Sequence, residues 1–297
     1  MIIGIASRIM ARMLADSTQS SSSNGAASPR QHAFYWRLIG TALSFVIFGV
    51  GALVVGLVLL PLVKLIPSSR ARKRHRTRGV MRRAMRFFVG QMRTFGVMTY
   101  EFRGTERLGR PGQLIIANHP SLIDVAFLLG FTARANCVVK RGLWRNMFTR
   151  SAVSLAEYIP NEPTAEMIEI ASAALAEGQT LIMFPEGTRT PLNGDISLHR
   201  GAANLALRAA QVLTPVYIRC EPRTLTKGAP WYRIPHRRVH YTLVVGEDVN
   251  LEPYRSMAAR PIGSRALNEQ LARDFQCVSG TGPFCPAEGL PDPQHPS

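Results

Sequence analysis

Acidic residues are scarce in this 297-residue chain: 19 Asp and Glu stand against 36 Lys and Arg, for a net charge of +17. The scarcity is concentrated. From Lys64 to Arg86 there are ten Lys or Arg and no acid, and from Leu38 to Val63 there are 26 positions without a charge of either sign. Cysteine is also sparse. Cys137, Cys220, Cys277 and Cys285 form no C-x-x-C pair, which argues against a zinc site or a thioredoxin-like centre. There is no G-x-S-x-G string, so a serine-hydrolase elbow is not expected, and no H-E-x-x-H string, so the common zinc-protease arrangement is absent. No internal repeat is visible. The basic run carries no interleaved aromatics and no nucleic-acid motif, so nucleic acid is not an expected partner.

The uncharged run is long enough to cross a bilayer, which takes ~20 predominantly apolar residues. A buried core helix of this length without a polar face is rare. The basic string Arg70-Ala71-Arg72-Lys73-Arg74-His75-Arg76 follows directly, as the cytoplasmic flank of a membrane segment does. It would also attract a membrane with anionic lipids. The apolar run starts too late for a cleaved secretory signal, and no small-residue cleavage site follows it. Expected zones are a flexible Ser-rich tail over residues 1–31, membrane-anchoring helices with their basic flank over 32–95, a catalytic domain over 96–277, and a disordered Gly- and Pro-rich tail over 278–297. From about Arg78 to Phe95, apolar residues at helical spacing alternate with Arg82, Arg83, Arg86 and Arg93. That pattern is a basic amphipathic helix suited to a membrane surface.

Beyond Gly96 the pattern changes to short apolar runs separated by helical stretches. Leu114-Ile115-Ile116, Leu181 to Phe184, Val216-Tyr217-Ile218 and Tyr241 to Val245 read as buried strands. Thr164 to Glu177, stopped by Gly178, and Ile262 to Phe275 read as helices. Continuous apolar strands alternating with helices imply an α/β fold, with a mostly parallel sheet flanked by helices.

Two strings carry the chemistry. In Asn118-His119-Pro120-Ser121-Leu122-Ile123-Asp124, a His and an Asp stand five residues apart just after a strand. Pro120 suits the first position of a helix. With His119 in the cap and Asp124 reaching back from the first turn, the carboxylate fixes the tautomer and leaves the other ring nitrogen as a base. With no protein nucleophile in evidence, the natural client of that base is a substrate hydroxyl attacking a thioester. In Phe184-Pro185-Glu186-Gly187-Thr188-Arg189, a strand ends in a turn. Gly187 permits a close approach or a left-handed backbone. Arg189 presents a planar fork to a phosphate or carboxylate. Glu186 is placed to orient that Arg or to accept from an acceptor hydroxyl.

The first string resembles the N-H-x-x-x-x-D motif of the lysophospholipid acyltransferase superfamily, and the second is similar to its F-P-E-G-T-R motif in full, in the family's order and spacing. Leu213-Thr214-Pro215-Val216 resembles its fourth motif. The resemblance implies the glycerol-phosphate acyltransferase fold on a bacterial inner membrane, with the catalytic domain on the cytoplasmic side. It implies acyl transfer from acyl-CoA or acyl carrier protein to a lysophospholipid such as 1-acylglycerol-3-phosphate, without metal, cofactor or covalent acyl-enzyme. On the matching positions His119 is the base and Asp124 its partner. Glu186, Gly187, Thr188 and Arg189 would bind the acceptor's phosphate region. One departure stands out. The family's second motif often ends in Arg after a strand, whereas the matching stretch here is Tyr158-Ile159-Pro160-Asn161-Glu162. Lys140 and Arg141 either compensate, as a further part of the acceptor site, or are ordinary surface charges. The departure also keeps open a different acceptor, such as a lyso-aminolipid or a specialised lipid.

Overall fold

The computed structural model describes residues 29–162 and 164–279. Most of both expected tails falls outside these residues; where they are described, 29–31 and 278–279 are helical. The chain divides into two units, Met1–Trp36 and Arg37–Ser297. The described part of the first is the opening of helix α1 (Pro29–Val54), where Phe34 and Tyr35 meet edge to face with ring centroids 5.8 Å apart.

Helix α1 passes through a π-helical turn (Val55–Leu59) into α2 (Leu60–Leu65). Pro61 explains the widened turn. It lacks an N–H and crowds the carbonyl four residues back, and the Leu60 N–H reaches back to Val55 O instead. Ser69 then caps α3 (Arg70–Thr94), accepting from the Arg72 N–H. This helix starts eight residues earlier than the apolar spacing predicts. Its first two turns are almost wholly basic, and distant carboxylates relieve the repulsion: Glu157 pairs with Arg70 and Arg74, and Glu177 with Arg74. Gly96, at φ +70°, ends it; the Gly96 and Val97 N–H groups close back on Arg93 and Met92.

The remaining elements are β1 (Met98–Arg103), β2 (Gln113–Ala117), α4 (Asp124–Phe131), β3 (Asn136–Val139), α5 (Gly142–Arg145), α6 (Met147–Leu155), β4 (Ile159–Pro160), α7 (Ala165–Ala176), β5 (Leu181–Met183), α8 (Gly201–Ala209), β6 (Val212–Glu221), β7 (Val239–Val245), α9 (Glu252–Arg255) and α10 (Arg260–Ser279). The strands form one sheet in the order β1-β7-β6-β2-β5-β3-β4. Every neighbouring pair is parallel except β6 with β7.

Strand β2 is buried throughout. Ile115 and Ala117 face one core with Phe88, Val89 and Phe127, while Leu114 and Ile116 face the other with Leu175, Ala203 and Leu271. A strand covered on both faces is apolar at every position, which is why the Leu-Ile-Ile run is continuous. Each of the Leu, Ile, Val and Phe side chains among these contributes about 1.5–3 kcal/mol through burial. The central register pairs Ile116 of β2 with Met183 of β5. The segments that leave these strands, which carry the two motifs, therefore emerge side by side.

Candidate active site

Asn118 fixes the exit from β2. Its side-chain amide donates to Ile218 O at 2.7 Å and its oxygen accepts from the Ile218 N–H at 2.8 Å, so the side chain continues the pairing with β6 after the β2 backbone has turned away. His119 comes next, with its side chain 15% exposed. His119 Nδ1 lies 2.9 Å from Asp124 Oδ2. Asp124 is fully buried, and the same oxygen accepts from the Ser121 N–H at 2.7 Å. Ser121 Oγ is 2.8 Å from the hydroxyl of buried Tyr241. The helix begins at Asp124, not at Pro120 as its suitability for a first helical position predicts. Residues 120–123 make one turn first, closed by the Asp124 N–H on Ser121 O.

The second motif is stitched to the first. Glu186 Oε1 accepts from the His119 N–H at 2.9 Å and from Thr190 Oγ1 at 2.7 Å. The Thr190 N–H donates to His119 O at 2.7 Å. Phe184 stacks on the His119 imidazole, with centroids 4.4 Å apart and planes 29° off parallel. Gly187 adopts φ +64°, and a Cβ there would sit 3.1 Å from the His199 ring, so both backbone and space favour glycine. Arg189 Nη1 donates to Leu225 O at 2.7 Å and Thr226 O at 2.9 Å. Gly187 and Thr188 are exposed and Arg189 half-buried. Lys140 and Arg141 follow β3 on the same edge of the sheet. They stand two strands from β2, about 10 Å at ~4.8 Å per strand. Lys140 is exposed, whereas Arg141 is tied to Glu162.

A family model described as Acyltransferase matches residues 99–219, a span that holds both motifs. A 1-acyl-sn-glycerol-3-phosphate acyltransferase of Pseudomonas aeruginosa is 28% identical over 184 residues, covering 60% of this chain and 70% of that protein. The crystal structure of the 1-acyl-sn-glycerophosphate (LPA) acyltransferase PlsC from Thermotoga maritima shares the fold, with a TM-score of 0.62 at 21% identity over 81% of this chain and 95% of that one. Residues 99–219 form an acyltransferase domain, and the chain is similar to PlsC-type enzymes.

The electrostatics of the acyltransferase's site follow from burial. Desolvation raises the Asp124 carboxyl above its ordinary value, opposed by His119, the Ser121 N–H and the charge of Arg189. Glu186 is raised by the same cause, opposed by the Thr190 hydroxyl, the His119 N–H and the His119 ring. Both carboxylates are thus held in a dry environment by a small set of donors. Asp124 Oδ1 has no hydrogen-bond partner among the described residues, which leaves that oxygen's negative charge directed at its surroundings without a local donor.

Sequence reading missed five contributors: Asn118 as a clamp, Phe184 as a stacking face, Thr190, His199 and Tyr241. Thr190 directly follows the second motif, but its bond with His119 depends on β5 lying beside β2. Tyr241 stands 120 residues from Ser121, and no local pattern marks it.

Proposed function

We propose that the enzyme transfers a fatty acyl group from acyl-CoA or acyl carrier protein to the free hydroxyl of a lysophospholipid such as 1-acylglycerol-3-phosphate, at a membrane surface. The observation that carries this reading is the 2.9 Å hydrogen bond between His119 and Asp124. It favours a proton on Nδ1, with Nε2 as the base. Nε2 takes the acceptor's hydroxyl proton as that oxygen attacks the thioester carbonyl. The tetrahedral intermediate then collapses, the C–S bond breaks, and the imidazolium returns the proton to the departing thiolate. Asp124 steadies the imidazolium between the two transfers. Arg189, with the exposed Gly187 and Thr188, faces the acceptor's phosphate, and Lys140 adds a second cation. A basic surface suits either anionic donor. An apolar cavity of ≈ 630 Å³, lined among others by Phe48, Phe88, Val125 and Leu143, offers room for an acyl chain beside the start of α4.

The P. aeruginosa relative's name supports the glycerol-phosphate acceptor. The Tyr158–Glu162 stretch favours a second reading. Asn161 and Glu162 stand where the family often has Arg, and Glu162 already neutralises Arg141. A less highly charged acceptor headgroup fits that depleted set of cations.

The membrane reading is supported by the helix Ala33–Leu65. At 1.5 Å per residue its 33 residues reach about 50 Å, well beyond the ~30 Å hydrocarbon core. From Arg37 onward its inner face is docked along the domain: Arg37 on His236 O, Ser44 on Gln91, Phe45 on Trp231, Phe48 on Phe88 and Leu60 with Ala152. Its outer face exposes Ile39, Leu43, Val46, Val50, Leu53 and Leu57, a stripe at three- and four-residue spacing. These contacts favour a helix embedded lengthwise in one leaflet over one that crosses the bilayer. The basic flank favours the cytoplasmic leaflet of the bacterial inner membrane.

The test uses membranes holding the protein, a labelled acyl thioester and a panel of lyso-acceptors. His119→Ala is expected to lose at least ~100-fold in turnover while staying folded, and wild-type turnover in that variant would remove His119 as the base.

A further inference from the structure

A second cavity, of ≈ 830 Å³, opens at the other end of the sheet. It lies between α3 and the loops that lead into β2, β3 and β5. These three strands are parallel, and their far ends carry the two motifs. The cavity is therefore separated from His119 by the length of a strand, about 15 Å. Six arginines line it: Arg74, Arg76, Arg78, Arg82 and Arg83 from α3, and Arg134 from the turn before β3. The one lining carboxylate, Glu177, is taken by Arg74. Among the described residues the other five arginines form no salt bridge.

Ordinary basic helix faces hold their guanidinium groups out in water. Arg78 is 3% exposed. Its Nε donates to Ala156 O at 2.8 Å, and its Nη1 approaches Arg134 O. Its Nη2 is buried without a partner. Burial pushes this guanidinium down to about 10, which still leaves it charged at neutral pH. A buried cationic N–H without an acceptor is destabilising unless something pairs with it, and a ring of unpaired arginines repels itself. A bound anion relieves both.

We propose that this cavity is a binding site for a phosphate-bearing anion, seated on Arg78 and rimmed by Arg83 and Arg134, and distinct from the acceptor site. Guanidinium forks match phosphate oxygens in pairs. Val63 also lines the cavity, and its neighbours Leu62 and Leu65 are exposed, so acyl chains can lie along α2 while the headgroup enters. Basic pockets beside membrane helices hold anionic headgroups in this way. The lipid form of the proposal rests on the membrane-surface reading; the recognition of phosphate by Arg78 does not, and neither form depends on the His119 mechanism.

The test is a titration of the full-length protein in neutral detergent, read by native mass spectrometry. The probes are phosphatidylglycerol, phosphatidylcholine with the same chains, and inorganic pyrophosphate. The variants are Arg78→Gln, a rim variant joining Arg83→Glu with Arg134→Asn, and His119→Ala. Asn tolerates the left-handed backbone at 134, where φ is +53°. One phosphatidylglycerol per chain is expected to bind saturably, at least tenfold tighter than phosphatidylcholine. The rim variant should lose at least tenfold, and His119→Ala should bind as wild type. If Arg78→Gln fails to fold, the rim variant carries the test. Arginine-dependent binding of pyrophosphate without selective lipid binding assigns the site to soluble phosphate esters and keeps the proposal. Equal affinity for the two lipids together with no pyrophosphate binding overturns it, as does a rim variant with wild-type affinity for every phosphate probe. So does rim-dependent capture of acyl carrier protein when no phosphate probe binds. If His119→Ala remains active while the rim variant loses phosphatidylglycerol, the catalytic reading fails and this one stands.

Discussion

Glu186 separates two accounts of the second motif. The motif's position next to Arg189 suggests a carboxylate that touches the acceptor; its hydrogen bonds make it the anchor of His119. The anchoring account makes a two-variant prediction. In Glu186→Ala the His119 N–H keeps only Thr190 Oγ1, at 3.2 Å, and the Thr190 hydroxyl loses its acceptor. One charge-assisted bond to a buried carboxylate is worth about 1.5–3 kcal/mol, and the emptied space adds to that, so the expected loss is about 3 kcal/mol. For a domain of this size that lowers Tm by about 6–12 °C. Glu186→Gln behaves differently, because the amide oxygen can accept both bonds. Burial raises the pKa of Glu186, which means that the fold disfavours its ionised form. That penalty is absent below the ordinary glutamate value and grows as the pH rises from there towards the folded value. A neutral isostere escapes it, so at pH 7 Glu186→Gln should match or exceed the wild-type Tm. In Glu186→Ala kcat should fall while KM for the acceptor stays within about twofold, because the defect lies in the placement of the base, whereas Glu186→Gln, which keeps both bonds, should stay close to wild type in both constants. The assay is thermal melting paired with steady-state acylation over an acceptor titration. A Glu186→Ala protein with wild-type Tm and kcat but a tenfold higher acceptor KM would refute the anchoring account.

Asp124→Asn removes the charge that steadies the imidazolium, so turnover should drop at least ~100-fold with acceptor KM little changed; retention of more than half the activity would deny Asp124 its role. At Glu157, burial pushes the carboxyl up, but Arg70 and Arg74 outweigh it and hold it below its ordinary value. Its stabilisation is therefore complete above the unfolded glutamate value and disappears as pH falls through the folded one. Glu157→Gln should lose about 1 kcal/mol at pH 7, with the melting curves of the two proteins converging towards pH 3; a constant gap across that range would contradict the linkage. Replacing Leu43 and Val50 by Asp puts two charges on the outward stripe of α1. Membrane retention in a flotation assay should fall sharply while the detergent-purified enzyme keeps its turnover, and unchanged flotation would count against the embedded helix.

Much of the fold was legible because its central strands are covered on both faces. Leu114-Ile115-Ile116 and Leu181 to Met183 had to be continuously apolar, and they read as such. Thr164 and Gly178 marked the ends of α7 through capping chemistry that acts within a few residues. What escaped was the sheet's periphery. In β1, Met98, Tyr100 and Phe102 alternate with Thr99, Glu101 and Arg103, a period of two that a search for unbroken apolar runs overlooks. The start of α3 was hidden because its stabilising carboxylates, Glu157 and Glu177, come from far along the chain. In the site, the pairing of His119 with Asp124 could be anticipated from a five-residue spacing. The roles of Glu186 and Thr190 depend on β5 lying against β2, and a neighbour relation between strands leaves no mark in either string.

That same neighbour relation has a consequence for how such an enzyme can change. The chain between β2 and β5 makes α4 and then travels out to β3 and β4, the last two strands on that side of the sheet, before returning. The outer part of this excursion, from Asn136 to Glu162, hangs on the sheet as an edge module that carries Lys140, Arg141 and Glu162 but none of the hydrogen bonds that join the two motifs. It can be exchanged, lengthened or recharged with the proton-transfer machinery left in register. Grafting that edge between homologues would test whether it selects the acceptor while the chemistry stays fixed.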